Sequence, residues 1–267
     1  MAPPNFRFRP RAPRRPDAEG DHPEANPSPR RRHRFYRHLL VLCLALMATM
    51  VLPGSGSFLI FPGYQLLTLL VAVELRGVAG GRRIDRFYRL LGAAAIFASL
   101  YWVLAPHHVH LTAALLAVTF SFFYLWTLVR LVGGLAREPR VTRMVVSGAL
   151  AGYLLLGICG GLLLCVIESF QPGSFRSALD GTDPMRLGDS LAQELPLTLT
   201  WERNFMRVNY FAFVSLTTVG YGDIIPVHPL AQMASLLLSI AGPLYIAVVM
   251  GVLISRITSQ GAGPDGE

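Results

Sequence analysis

The sequence predicts an all-α integral membrane protein: six transmembrane helices, with a re-entrant half-helix and an irregular segment between the fifth and the sixth. Three observations carry this. Of 267 residues, 52% are hydrophobic and only 15% charged, and the mean hydropathy is +0.45, too apolar for an ordinary soluble domain. The apolar residues gather into runs near the ~20 residues that a helix needs to cross about 30 Å of hydrocarbon. All 24 basic residues are arginine, and they cluster in alternate connections between the runs.

Residues 1–35, rich in proline and arginine, have too little apolar surface to fold and are expected to be a disordered cytoplasmic tail. Their basic end suits anionic lipid, and serves equally as a topology determinant. The spans run near 36–52, 58–76, 87–105, 110–131, 143–168 and 229–255. Pro53-Gly54-Ser55-Gly56-Ser57 is a helix-breaking turn between the first two. Ten arginines against four acids precede the first span, and Arg76, Arg82, Arg83, Arg86 and Arg89 separate the second from the third. The link from Pro106 to His110 carries no arginine; its His107, His108 and His110 read as interfacial residues or as titratable or metal-binding groups. Arg130, Arg137, Arg140 and Arg143 flank the connection between spans four and five, whereas Glu168 to Asp223 holds four arginines and seven acids. Basic and non-basic sides alternate, which places both termini in the cytoplasm of a cell-membrane protein. A cleaved secretory signal is the competing reading of residues 1–57; it would leave five spans.

Cys43, Cys159 and Cys165 lie inside apolar runs without metal or redox spacing and read as small lipid-facing or packing residues. No paired carboxylates, metal-spaced histidines or nucleophile constellation share a face, so neither an enzyme nor a cofactor is expected. Nothing points to nucleic acid.

Between spans five and six, residues 205–216 are apolar but too few to cross a bilayer. Such backbone is tolerated only where protein or a water-filled path surrounds it. After it comes Thr217-Thr218-Val219-Gly220-Tyr221-Gly222-Asp223, continuing to Ile224 and Pro226. Glycines alternating with side-chain residues permit backbone angles that turn successive carbonyls to one side. The stretch Thr218 to Gly222 resembles, residue for residue, the selectivity filter of the tetrameric potassium channel family.

That resemblance implies a homotetramer in which carbonyl rings, with the Thr218 hydroxyl innermost, replace the hydration shell of K+ at Thr218, Val219, Gly220 and Tyr221. No other group is implied beyond the permeant ion and surrounding lipid. It gives Val219 and Tyr221 side chains that point backwards into a cuff, where Tyr210 and Phe211 stand in place of the family's usual tryptophans. Thr217 and Asp223 support the filter, and Glu168, at the end of span five, corresponds to an acid tethered to backbone. Gly242-Pro243 and Gly251 mark a gating hinge in span six, with a kink near 239–243; close helix packing explains the glycines as well.

The chain then divides into the tail, a four-helix unit at 36–136 placed where a voltage sensor would be, a pore domain at 137–256, and a short tail at 257–267. Steep voltage gating requires several charges in the field, and residues 110–129 hold none. Residues 132–142 read as a basic linker, with Arg137, Arg140 and Arg143 as the alternative, a displaced sensor. In the segment 169–204, a helix at Leu187–Leu195 and the acids Asp180, Asp183, Asp189 and Glu194 form a turret that attracts cations or only packs. The function implied is a potassium-selective channel subunit. A less selective cation channel, a carrier built from pore-like repeats, and a non-conducting regulatory subunit are the alternatives.

Overall fold

A computed structural model describes residues 29–49, 60–74, 82–104, 109–138, 141–178 and 197–261. Five helices come first: α1 (Pro29–Thr49), α2 (Ile60–Glu74), α3 (Arg82–Leu104), α4 (Val109–Ala136) and α5 (Arg143–Phe170). The strand β1 (Phe175–Ser177) follows, then α6 (Leu197–Leu216), β2 (Ile224–Pro226) and α7 (Pro229–Tyr245). A π-helical turn at Ile246–Met250 joins α7 to α8 (Gly251–Gly261). Three of the described helices are long and apolar enough to cross a membrane: Leu115–Ala136, Arg143–Phe170 and the continuous Pro229–Ser259.

Several boundaries depart from the sequence expectations. Helix α1 starts at Pro29, inside the stretch expected to be disordered, because a proline suits a first helical turn and an arginine-rich run has good helix propensity. Helix α4 continues through Gly133-Gly134 to Ala136, so the linker is shorter than 132–142: packing on α5 overrides the low propensity of two glycines. Helix α6 begins eight residues before the expected 205. The turret's β1 pairs antiparallel with β2 beyond it, Phe175↔Pro226 and Ser177↔Ile224, a pairing too short to leave a sequence signal. In span six the irregular turn falls at 246–250, after Pro243 and not before it. His107 and His108, Arg140, the turret acids and the helix at 187–195 lie outside the described residues, as do 1–28 and 262–267.

The four-helix unit packs around aromatic rings. Tyr88 stacks on Phe123 with centroids 5.1 Å apart, and Phe120 stacks on Tyr124 at 5.8 Å. Its buried hydroxyls are paired, Thr68 with Tyr124 at 2.9 Å and Tyr88 with Thr127 at 2.9 Å, as an environment without water requires. Arg130, read from sequence as flanking a loop, is buried at 4% exposure, with its guanidinium 4.8 Å from the Tyr88 ring centroid. A cation over an aromatic face is stabilised by the ring quadrupole.

Helix α5 is the hub. Its glycines remove side-chain bulk where neighbours enter: Gly148 faces Tyr36, Gly157 faces Phe213, Gly160 faces Leu238 and Gly161 faces Asn209. Small residues let helices approach closely in a membrane, where dispersion and not hydrophobic burial drives association. The three cysteines are free and buried. At the other end of the bundle, Tyr36 donates to Glu138 at 3.3 Å, and Arg256 donates to the carbonyls of Ala136 at 2.9 Å and Glu138 at 3.4 Å. A cation at a helix C-terminus satisfies carbonyls that have no partner within the helix.

A Cβ at Gly157 would collide with the Phe213 ring, whereas one at Gly133 meets nothing within 4 Å. Gly157→Val is therefore expected to destabilise by about 1–3 kcal/mol through overpacking. Gly133→Ala should be neutral or stabilising by up to ~1 kcal/mol. Thermal melting of the two purified variants in detergent checks the pair; equal melting points would contradict the packing described.

Candidate functional site

The site is built on the end of α6. Leu216, its last residue, meets Gly242 so closely that a Cβ there would collide with the Leu216 carbonyl. Gly242 lies 13 residues into the α7 helix, about 20 Å along it at 1.5 Å per residue. From that depth the chain returns through residues 217–228 to the start of α7. The irregular strand thus runs from the depth of Gly242 back to the start of α7. Glu202, Arg203 and Arg207 make α6 too polar to rank with the helices that can cross a membrane.

The backbone at the turn follows from hydrogen-bond accounting. The last carbonyls of a helix lack intrahelical partners, and here the next amides supply them. Thr217 N–H donates to Phe213 O at 2.9 Å, Thr218 N–H to Ser215 O at 3.0 Å, and Val219 N–H to Val214 O at 3.1 Å. Gly220 N–H points to the same Val214 oxygen at 3.5 Å. Thr217 adds its hydroxyl to Phe213 O at 2.7 Å. With the amides turned inward, the carbonyls must face away.

The dihedral angles make that geometry regular. Thr218, Gly220 and Gly222 have φ of 59°, 57° and 78°, while Val219 and Tyr221 between them do not take positive φ. Left-handed residues at every second position flip alternate peptide planes, and successive carbonyls then align on one side. Two of the three are glycine, which adopts this conformation without cost. Thr218 is the one described non-glycine residue with positive φ. A β-branched residue there is strained by about 1–3 kcal/mol and persists only where its surroundings impose it. Residues 217–222 are all exposed, and among the described residues their carbonyls accept no hydrogen bond.

Two further anchors hold the far end. Ala178 N–H donates to Asp223 O at 2.9 Å and Val227 N–H to Ser174 O at 2.7 Å, framing the β1–β2 pairing. Glu168, 1% exposed, accepts from Gly173 N–H at 2.6 Å and from Phe175 N–H at 3.1 Å. Its carboxylate therefore fixes the loop whose strand pairs with the segment after Asp223. The Asp223 side chain is half-buried and accepts from Ile224 N–H at 3.1 Å.

The remaining sequence-selected residues fall as follows. Tyr210, half-exposed, lies within electrostatic reach of Asp223 and Tyr221. Phe211 is buried, its ring 5.4 Å from Phe175 of β1, so it braces the outer strap. Val219 and Tyr221 are 52% and 70% exposed; within one chain no cuff covers them. Gly242 serves close approach to Leu216, while Gly251 has nothing within 4 Å of a Cβ position. Arg137 lies in the turn after α4 and Arg143 opens α5, both exposed, so these two share no helix. Sequence reasoning missed Tyr245, whose hydroxyl donates to Ala149 O at 2.9 Å, and Asn209, buried in α6. A lone polar residue within an apolar run was the available signal for both.

Residues 190–259 match a family described as ion channel. Neither the curated proteins nor the solved structures gave a match to the chain. The match places the helix end and the carbonyl strand within a stretch similar to an ion-channel domain. The chain's three helices able to cross a membrane and this match together support a membrane protein with an ion-channel domain over residues 190–259, which hold α6, the carbonyl strand, α7 and most of α8.

Glu168→Leu leaves two amides without their acceptor, each expected to cost ~1–3 kcal/mol where buried. Glu168→Gln keeps one acceptor oxygen and should lose about half as much. The check is the melting temperature of both variants alongside proteolytic cleavage at 171–178, which should rise in the order wild type, Gln, Leu.

Proposed function

We propose that this chain is one subunit of a potassium-selective channel, four copies of which surround an axis and let K+ pass down its gradient across the cell membrane. The observation that carries the reading is the alternating left-handed backbone at Thr218, Gly220 and Gly222, with its amides tied to the α6 end. Such a strand offers a column of bare carbonyl oxygens. Four copies convert the column into stacked rings at Thr218, Val219, Gly220 and Tyr221, where a cation exchanges water oxygens for carbonyl oxygens. The preference for potassium rests on the Thr218-Val219-Gly220-Tyr221-Gly222 sequence itself.

Electrostatics favour the same direction of use. The C-terminus of α6 carries about half a negative charge from its aligned peptide dipoles and ends at the base of the column. Asp223, repeated four times at the outer mouth, concentrates cations there. On the inner side, Gly242-Pro243 and the π turn at 246–250 form a weak point in an otherwise continuous helix, since π turns and proline both interrupt the regular ladder. That makes this segment the gating hinge, with Gly251 beyond it. Both termini then lie in the cytoplasm, where the basic leader meets anionic lipid. The role is permeation, not enzymatic chemistry.

Reversal potentials of the purified protein in planar bilayers, under K+ and Na+ gradients, test the reading. Strong preference for K+ is expected, and equal permeability overturns it. Gly222→Asp puts a side chain at φ 78°, which disorders the oxygen column, and is expected to abolish the K+ preference while single subunits still assemble.

A further inference from the structure

A buried polar chain joins the four-helix unit to the helix that carries the carbonyl strand. Tyr64 of α2, 2% exposed, donates from its hydroxyl to Asn209 Oδ1 of α6 at 3.5 Å. Its ring meets the Phe205 ring of α6 edge-on, with centroids 5.6 Å apart. Asn209 is itself fully buried, and its amide nitrogen donates to Phe205 O at 2.8 Å and lies 3.9 Å from Cys165 Sγ. It sits in a notch of α5: a Cβ on Gly161 would collide with the Asn209 side chain and lie 3.2 Å from its Cα. Tyr64 is in turn held from behind, because its carbonyl lies 2.8 Å from each of the Tyr124 and Thr68 hydroxyls, which share their two hydrogens around this three-oxygen cluster.

Polar side chains buried among apolar helices are costly unless bonded, and once bonded they specify a single arrangement. This chain of contacts runs through α4, α2, α6 and α5. Only five residues, about 7.5 Å of helix, separate Asn209 from Val214, whose carbonyl holds the Val219 and Gly220 amides. A helix segment that short moves as a rigid body. Any displacement at Asn209 therefore reaches the amides that aim the carbonyl column.

We propose that Asn209 is a positioning residue through which Tyr64 lets the four-helix unit set the seat of α6, and with it the stability of the conducting carbonyl column. The inference rests on the channel reading above. It assigns the unit an influence at the filter, separate from the contact of Arg256 in α8 with the end of α4.

Tyr64→Phe removes only the hydroxyl and keeps the ring on Phe205. Asn209→Ser shortens the side chain, which the notch accommodates, and withdraws its oxygen from reach of the Tyr64 hydroxyl. Thr127→Val is the control, since it deletes a buried hydroxyl pair with Tyr88 inside the same unit but away from α6. The full-length protein is reconstituted in planar bilayers, and the decay of K+ current during sustained opening is recorded in low and high K+. Cations occupying the column oppose its rearrangement, so a decay that arises there slows as K+ rises.

Tyr64→Phe and Asn209→Ser are expected to speed the decay by roughly threefold and at most about twentyfold, the range corresponding to interhelical hydrogen bonds in membranes. High K+ should restore the slower rate, and Thr127→Val should behave as wild type. Should either of the first two assemble poorly, the other alone decides. Wild-type decay in an assembled variant, acceleration that is indifferent to K+, or equal acceleration in Thr127→Val overturns the assignment. A wild-type protein without K+ preference overturns the channel reading instead, and the two failures are distinguishable in one recording.

Discussion

Four consecutive backbone amides folded back onto one helix end are the constraint on which the site depends. Thr217, Thr218, Val219 and Gly220 direct their N–H groups at Phe213, Val214 and Ser215. The helix end satisfies its last carbonyls with these amides, and the chain that leaves it has no freedom in how its peptide planes lie. The oxygens are turned outward as a consequence. Charged side chains would bind a cation more tightly, but a fixed row of peptide dipoles competes with water on nearly equal terms, which suits passage better than capture.

Because the oxygens face away from their own chain, the geometry must be held from the other three sides. Leu216 rests against Gly242 of α7, with the Tyr153 hydroxyl on its carbonyl at 3.4 Å. Asn209 locks α6 into α5. Glu168 and the β1–β2 pair tie down the segment beyond Asp223. Thr218 shows that this holding is effective, since a threonine at φ 59° occupies a conformation it would leave if released. The strain of one residue is small beside several buried hydrogen bonds worth about 1 kcal/mol each.

The long apolar runs were legible in the sequence: α2 and α5 lie within two residues of their expected ends and α7 begins at the expected 229, whereas α3 begins five residues before 87. The sequence also made the carbonyl strand legible, since alternating glycines encode backbone angles directly. The N-terminal extent of α1 and the continuation of α4 through Gly133-Gly134 were not readable, because packing decided them against composition. The partners of Glu168 were hidden too. Its burial depends on a three-residue strand that pairs across nearly fifty residues of chain, and neither propensity nor period registers at that length. Arg130 illustrates a different limit. A lone arginine near a helix end looks like a loop charge until the Tyr88 ring that covers it is placed beside it.

The most exposed parts of the chain bear on assembly. In α5, 67% of the apolar window is buried inside one chain, against 17% for the helix spanning 229–259. Lipid alone could cover such a face, so exposure of leucine and isoleucine decides nothing. The carbonyls of 217–222 are different, because polar backbone within the hydrocarbon depth cannot face lipid. They lie on the stretch of chain that runs from the Leu216–Gly242 contact back to the start of α7, and their side of the chain is exposed. In the proposed channel, water and ions occupy the space before them, and something other than lipid encloses that space. On the proposed reading, that enclosure is further copies of the same chain, each with an equally open α7 and exposed Val219 and Tyr221 side chains.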